Sequence, residues 1–156
     1  ARAKELIEGR LYISSSPDKW KPRGEMVDWL ADHVKHVVAL CNRTTFELVA
    51  GIPGVEYWHF PVKDSHKTVD ERIVTTVVPK VVEWVRAGEP VLVSCLAGRS
   101  RSGMACALTL MYLNDWTGAT ALDYLRSKRP KAIKREKPEA WLRSLVAPTH
   151  SQGELL

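Results

Sequence analysis

The stretch Val91-Leu-Val-Ser-Cys95-Leu-Ala-Gly98-Arg99-Ser100-Arg101-Ser102-Gly103 limits the fold more than any other part of the chain. It begins as a nearly unbroken apolar run, passes through a short loop containing glycine, and enters Ser102–Asn114, a helical pattern with almost no polar face. A strand without polar alternation has to be covered on both faces, which is how strands of a parallel sheet read. A helix that is apolar all round is buried as well. Val37–Cys41 has the same apolar character, and Leu11–Ser14 and Val55–Phe60 read as further short strands. Helical patterns lie between them. Val27, Leu30 and Val34 share one face, and Ile73, Val77, Val81, Trp84 and Val85 form a longer stripe bounded by Gly88 and Pro90. Pro79 inside that stripe must kink it or mark a second start. Ala119, Leu122 and Leu125 mark a helix ending near Arg129-Pro130, and Trp141, Leu142 and Leu145 a last short one. Strands alternating with helices predict an α/β fold, a single domain with a central, mostly parallel β-sheet flanked by helices on both faces. At 156 residues the chain suits one domain, expected over 1–146, with a flexible C-terminal tail over 147–156.

Composition excludes several classes. Apolar residues make up 45% and charged residues 26%, as in a globular protein. No apolar run approaches the ~18 residues of a membrane span, and the opening residues lack the apolar stretch of a secretory signal. A cytoplasmic protein is expected. Cys41, Cys95 and Cys106 are too few and too scattered for a disulfide framework, and they lack the C-x-x-C spacing of a zinc site. His33, His36, His59, His66 and His150 form no ligand constellation and read as surface or interface residues. No metal and no cofactor are expected. Between Arg126 and Arg143 basic residues outnumber acidic ones eight to two, which reads either as a surface favouring anionic substrates or as a solvated face.

The chemistry is concentrated after the apolar strand. Backbone N–H groups of a loop turning inward before a helix N-terminus form a cradle for an oxyanion. The same field stabilises a thiolate, so Cys95 is expected to be nucleophilic at neutral pH. Gly98 allows the tight turn. Arg101 offers a planar fork of donors that can grip two phosphate oxygens together. A cysteine meeting Gly, Arg and Ser at these offsets by chance is roughly a one-in-a-thousand event. The competing reading is a structural buried cysteine beside a surface arginine. Cys106, within an apolar helix, reads as core.

Cys95-x5-Arg101 followed by Ser102 resembles the phosphate-binding loop H-C-x-x-G-x-x-R-S/T of the cysteine-dependent protein-tyrosine-phosphatase superfamily, in its dual-specificity branch. Gly9–Ile13, His36–Leu40 and Ala121-Leu122 through Arg129-Pro130 resemble other parts of that family's pattern, whereas Lys131–Leu145 departs from it. The resemblance implies a phosphomonoester hydrolase with Cys95 as nucleophile and Arg101 as phosphate clamp. Loop residues Leu96, Ala97, Gly98, Arg99, Ser100 and Arg101 would hold phosphate or sulfate, and the Ser102 hydroxyl would stabilise the departing thiolate. It also implies a general acid some thirty residues earlier. Asp64, in Pro61-Val62-Lys63-Asp64-Ser65, lies 31 positions before Cys95. Asp70 competes, but beside Glu71 it reads as charge at a helix N-terminus. Cys41 matches a position from which some relatives pair a cysteine with the nucleophile, making it a candidate redox partner, with a small buried hydrophobe as the other reading.

The implied partner is a phosphorylated protein carrying phosphotyrosine and phosphoserine or phosphothreonine; no nucleic-acid partner is expected. Arg99 and the basic window leave open a polyanionic small molecule, namely an inositol phosphate, a phosphoinositide or an RNA 5′ phosphate. Ser94 stands where the family carries His, which implies weaker activity or activity shifted to higher pH. It also leaves open a phosphate-binding pseudophosphatase. Rhodanese and arsenate-reductase chemistry fit less well, because the first needs no arginine at this spacing and the second wants resolving cysteines nearby.

Overall fold

The computed structural model describes residues 2–41 and 46–150. Among them, strands β1 (Lys4–Ile7), β2 (Leu11–Ser15), β3 (His36–Ala39), β4 (Glu56–His59) and β5 (Val91–Cys95) form one sheet in the order β1-β2-β5-β3-β4. Only the β1–β2 pair is antiparallel. The apolar run around Val91 therefore occupies the middle of a mostly parallel sheet, as its lack of alternation requires. Its side chains divide between two cores. Val91, Val93 and Cys95 join one cluster, and Leu92 joins the other with Tyr12 and Val37.

Helices α1 (Arg23–His33) and α2 (Phe46–Ala50) contribute Met26, Leu30 and Val49 to the Leu92 side. Helices α3 (Val78–Arg86), α4 (Arg101–Asn114), α5 (Gly118–Lys128) and α6 (Glu136–Arg143) cover the other face. Leu92 is fully buried, so its truncation to alanine costs about 2–5 kcal/mol. Pro79 falls in the first turn of α3. A wide turn, Ile73–Val77, precedes it, with the Val78 N–H donating to the Ile73 carbonyl five residues back. That register change is what the internal proline imposes on the Ile73–Val85 stripe.

The structure adds to or departs from the sequence reading at four points. β1 gave no apolar signal because Lys4 and Glu5 leave half of this edge strand exposed. His36 is buried rather than superficial, its ring 4.0 Å from that of Trp84 and its Nε2 2.7 Å from Glu89 Oε1. The strand expected to reach Cys41 ends at Ala39. Within the stretch expected as tail, Ala147 and Pro148 are buried, and Thr149 donates from its N–H and hydroxyl to the Asp115 carboxylate at 3.1 and 2.7 Å. The rest of that expected tail, 151–156, lies outside the described residues. No helix among the described residues is long and apolar enough to cross a membrane.

α5 and α6 are joined by a two-pronged ion pair. Arg126 donates to both Glu139 oxygens at 2.8 and 3.1 Å, and Arg143 adds a third bond at 3.1 Å. Arg126 foremost, then Arg143, lowers the Glu139 carboxyl from 4.5 to about 2. A carboxyl depressed in the folded state contributes stability that is complete above its unfolded value and is lost on acidification. Thermal melts of wild type should thus lose this contribution between about pH 4.5 and 2. Glu139→Gln should be less stable near neutrality and flatten the slope across that window; an unchanged slope would count against it.

Candidate active site

The loop after β5 opens at the carboxyl ends of the parallel strands, where crevices form in sheets of this kind. Its carbonyls are engaged one after another. Leu96 O accepts from Ser16 N–H at 3.3 Å, Arg99 O from Ile133 N–H at 3.1 Å, and Ser100 O from Met104 N–H at 2.8 Å. Between them, Arg129 donates through Nη2 to Ala97 O at 2.9 Å and through Nε to Gly98 O at 2.7 Å. A loop whose carbonyls are all drawn outward offers its N–H groups to its concave side, the arrangement an anion needs.

Gly98 makes the turn possible. Its φ is +69°, and a Cβ there would come within 2.5 Å of Ser14 O and Ser15 N. Cys95, at the foot of the loop, is 3% exposed, and its Sγ lies 3.1 Å from the buried Ser102 hydroxyl. Arg101 begins α4, and its Nη1 lies 3.4 Å from both Leu40 O and Val62 O, contacts long enough to be exchanged for a ligand.

An open cleft of about 1050 Å³ lies over this region, lined by Arg101, Leu96, Cys41, Asp64, Lys63 and neighbours. The structure thus brings Asp64 and Arg101 to one cleft. Asp64 is exposed, and its carboxylate pairs with Arg135 at 3.1 Å. Asp70 is differently placed. Its side chain is 7% exposed, and it accepts from Lys63 N–H at 2.8 Å, Arg72 N–H at 3.0 Å and Arg72 Nη2 at 2.8 Å. The Arg72 guanidinium foremost, with these N–H groups, holds its carboxyl well below the usual carboxylate range against the effect of burial. With its oxygens engaged by Arg72 and the Lys63 N–H, Asp70 braces the loop that carries Asp64.

Ser94, which stands where the family carries His, turns its side chain to the sheet. Its hydroxyl donates at 3.1 Å to Val38 O on the neighbouring strand, so it ties β5 to β3. Cys41 is buried, and its carbonyl lies 2.9 Å from His59 Nε2. Cys106 is core, as read: complete burial foremost, then Cys95, pushes its thiol up. Arg99 is exposed and lines a separate groove of about 240 Å³ with Lys4, Lys128, Arg129 and Lys131.

The four arginines of the basic window are internal machinery: Arg126, Arg129, Arg135 and Arg143 all bind groups of the domain itself. Arg129 and Arg135 were missed as site residues. Charge counting treats them as surface, because only the tertiary structure shows which carbonyl or carboxylate each one reaches. Burial lowers the pKa of Arg129, and a Cys95 thiolate acts in the opposite sense.

The dual specificity phosphatase catalytic-domain family matches residues 26–146. The chain belongs to that family. The triple specificity protein phosphatase PtpB of Mycobacterium tuberculosis is 35% identical over 72 residues, which are 46% of this chain and 23% of that protein. The crystal structure of Tk-PTP in its active form is 26% identical, covers 99% of this chain and 98% of its own, and superposes with a TM-score of 0.72. Human DUSP28, at 23% identity over 92% of this chain and 91% of its own, shares the fold with a TM-score of 0.74.

In this dual-specificity-phosphatase domain Arg129 holds the loop without lining the cleft, so its loss should loosen the cradle rather than unfold the protein. Hydrogen bonds to a charged group contribute about 1.5–3 kcal/mol each. Arg129→Met is therefore expected to weaken inorganic phosphate binding by at least about tenfold in calorimetric titration, with a cooperative melt retained. Undiminished phosphate affinity would remove Arg129 from this role.

Proposed function

We propose that the protein hydrolyses phosphomonoesters through a phosphocysteine intermediate, with phosphotyrosine and phosphoserine/threonine proteins as its substrate class. The observation that carries the reading is the loop itself, with carbonyls Leu96 to Ser100 engaged, Cys95 at its base beside Ser102, and Arg101 at the cleft. The Cys95 thiolate attacks phosphorus in line with the leaving oxygen. N–H groups of Leu96 to Arg101 and the Arg101 fork hold the equatorial oxygens, where charge spreads in the transition state. Asp64 protonates the leaving alcohol and then, as carboxylate, activates the water that cleaves the phosphocysteine. Ser102 stabilises the thiolate released in that second step.

Cys41 is the proposed partner of oxidised Cys95. Ala39 pairs with Ser94 on adjacent parallel strands, so the two cysteines follow two steps and one step beyond that pair. A cytoplasmic location belongs to the same proposal, since a catalytic thiolate is kept reduced there.

A second reading, a polyanionic phosphoester substrate, is favoured by the groove in which Arg99 meets four other cationic side chains. A third, phosphate binding without turnover, follows from the use of Ser94 as a strand tie.

Turnover of p-nitrophenyl phosphate, a phosphotyrosine peptide, a phosphothreonine peptide and an inositol polyphosphate, compared by kcat/KM, separates the readings. Cys95→Ser is expected to abolish turnover and retain phosphate binding. Asp64→Asn should slow alkyl and peptide phosphates by about 10²–10⁴-fold, whereas Asp70→Asn should chiefly lower thermal stability. Near-wild-type hydrolysis by Cys95→Ser would end the mechanism, and a larger kinetic loss from Asp70→Asn than from Asp64→Asn would reverse the acid assignment.

A further inference from the structure

Between α5 and α6 the chain crosses the rim of the phosphate loop, and Arg135 at the end of that crossing touches both halves of the site. Its Nε donates to Ser100 Oγ at 2.9 Å, and its Nη2 reaches the Asp64 carboxylate at 3.1 Å. The side chain is 20% exposed. One guanidinium thus joins the loop that cradles phosphate to the loop that carries Asp64. A planar fork can span two such partners, whereas a lysine supplies a single point of charge.

The crossing is anchored from several sides. Ile133 has φ +53°, a conformation that a β-branched residue adopts only where its surroundings over-determine it. Its N–H donates to Arg99 O at 3.1 Å, and its carbonyl accepts from Arg126 Nη2 at 2.8 Å. Its buried side chain packs against Gly103, where an added Cβ would lie 3.0 Å from Ile133 Cγ1. Arg126 also binds Ala132 O at 3.0 Å and is locked by Glu139. Backbone strain of this kind persists only where surrounding contacts hold it in place. What it secures is the approach of Arg135 to Ser100 and Asp64.

We propose that Arg135 is a positioning residue that latches Asp64 over the phosphate loop, so that the leaving oxygen meets a carboxyl group already in place. The proposal rests on the reading of Cys95 as nucleophile and Asp64 as acid. The loop's base is held by the Lys63 N–H bond to Asp70, and Arg135 holds the part that carries the acid. Misplacement of a reacting group by about 1 Å can cost on the order of 10²-fold in rate, so a latch of this geometry acts on catalysis. An exposed ion pair without such a role would change stability slightly and leave the rate unaffected.

The test compares phenyl phosphate, whose leaving group needs a proton, with p-nitrophenyl phosphate, whose leaving group departs with little help. Wild type, Asp64→Asn, Arg135→Ala, Arg135→Lys and the Asp64→Asn/Arg135→Ala double variant are assayed, with thermal melts of each. Arg135→Ala is expected to lower kcat on phenyl phosphate at least about tenfold more than on p-nitrophenyl phosphate, and Arg135→Lys should recover little of the loss. In the Asp64→Asn background, Arg135→Ala should add nothing further on phenyl phosphate. Equal losses on both substrates, or losses that multiply with those of Asp64→Asn, would overturn the latch. If Arg135→Ala fails to fold, Arg135→Lys carries the same comparison. Failure of the underlying reading looks different: turnover that survives Cys95→Ser removes the nucleophile, and an Asp64→Asn variant with no leaving-group dependence removes the acid. Either would take the latch with it.

Discussion

Five consecutive carbonyls, from Leu96 to Ser100, are held by four residues, three of them distant along the chain and one in the helix that follows, and the site's chemistry rests on that restraint. Free backbone has no preference for presenting six N–H groups to one point, since their dipoles repel. Ser16, Arg129, Ile133 and Met104 overcome this by binding the opposite ends of the peptide units. The central parallel sheet provides the platform, because β5 delivers Cys95 between β2 and β3 to the edge where the loop begins. Ser94, bonded to Val38, fixes that last step of the strand.

The same restraint explains the basic stretch from Arg126 to Arg143. Its arginines are internal fasteners: Arg126 secures the crossing between α5 and α6, Arg129 secures the loop, and Arg135 joins the loop to Asp64. A guanidinium suits such work because it donates in several directions while staying charged when partly buried.

Much of the fold was legible because burial leaves a strong periodic trace. The unalternating Val91–Ser94 and Val37–Cys41 runs announce central strands, and Ser102–Asn114 announces a buried helix. β1 left no trace, since an edge strand with Lys4 and Glu5 has only one face to bury. His36 was misjudged for a related reason: a histidine is polar in composition, and only the stacked Trp84 and the Glu89 acceptor make its burial tolerable.

The sequence by itself determined the α/β class, the strand–loop–helix unit around Cys95, and the residue types that an oxyanion requires, because these depend on local order along the chain. Tertiary structure decided which carboxylate is committed and which lines the cleft. Asp64 and Asp70 are six residues apart and chemically alike, yet Arg72 and the Lys63 N–H engage one, while Arg135 reaches the other from 71 positions away. It also decided the roles of Arg129, Arg135 and Ser94, since a hydrogen bond depends on where two groups meet in space, and no spacing along the chain encodes a meeting between segments so far apart.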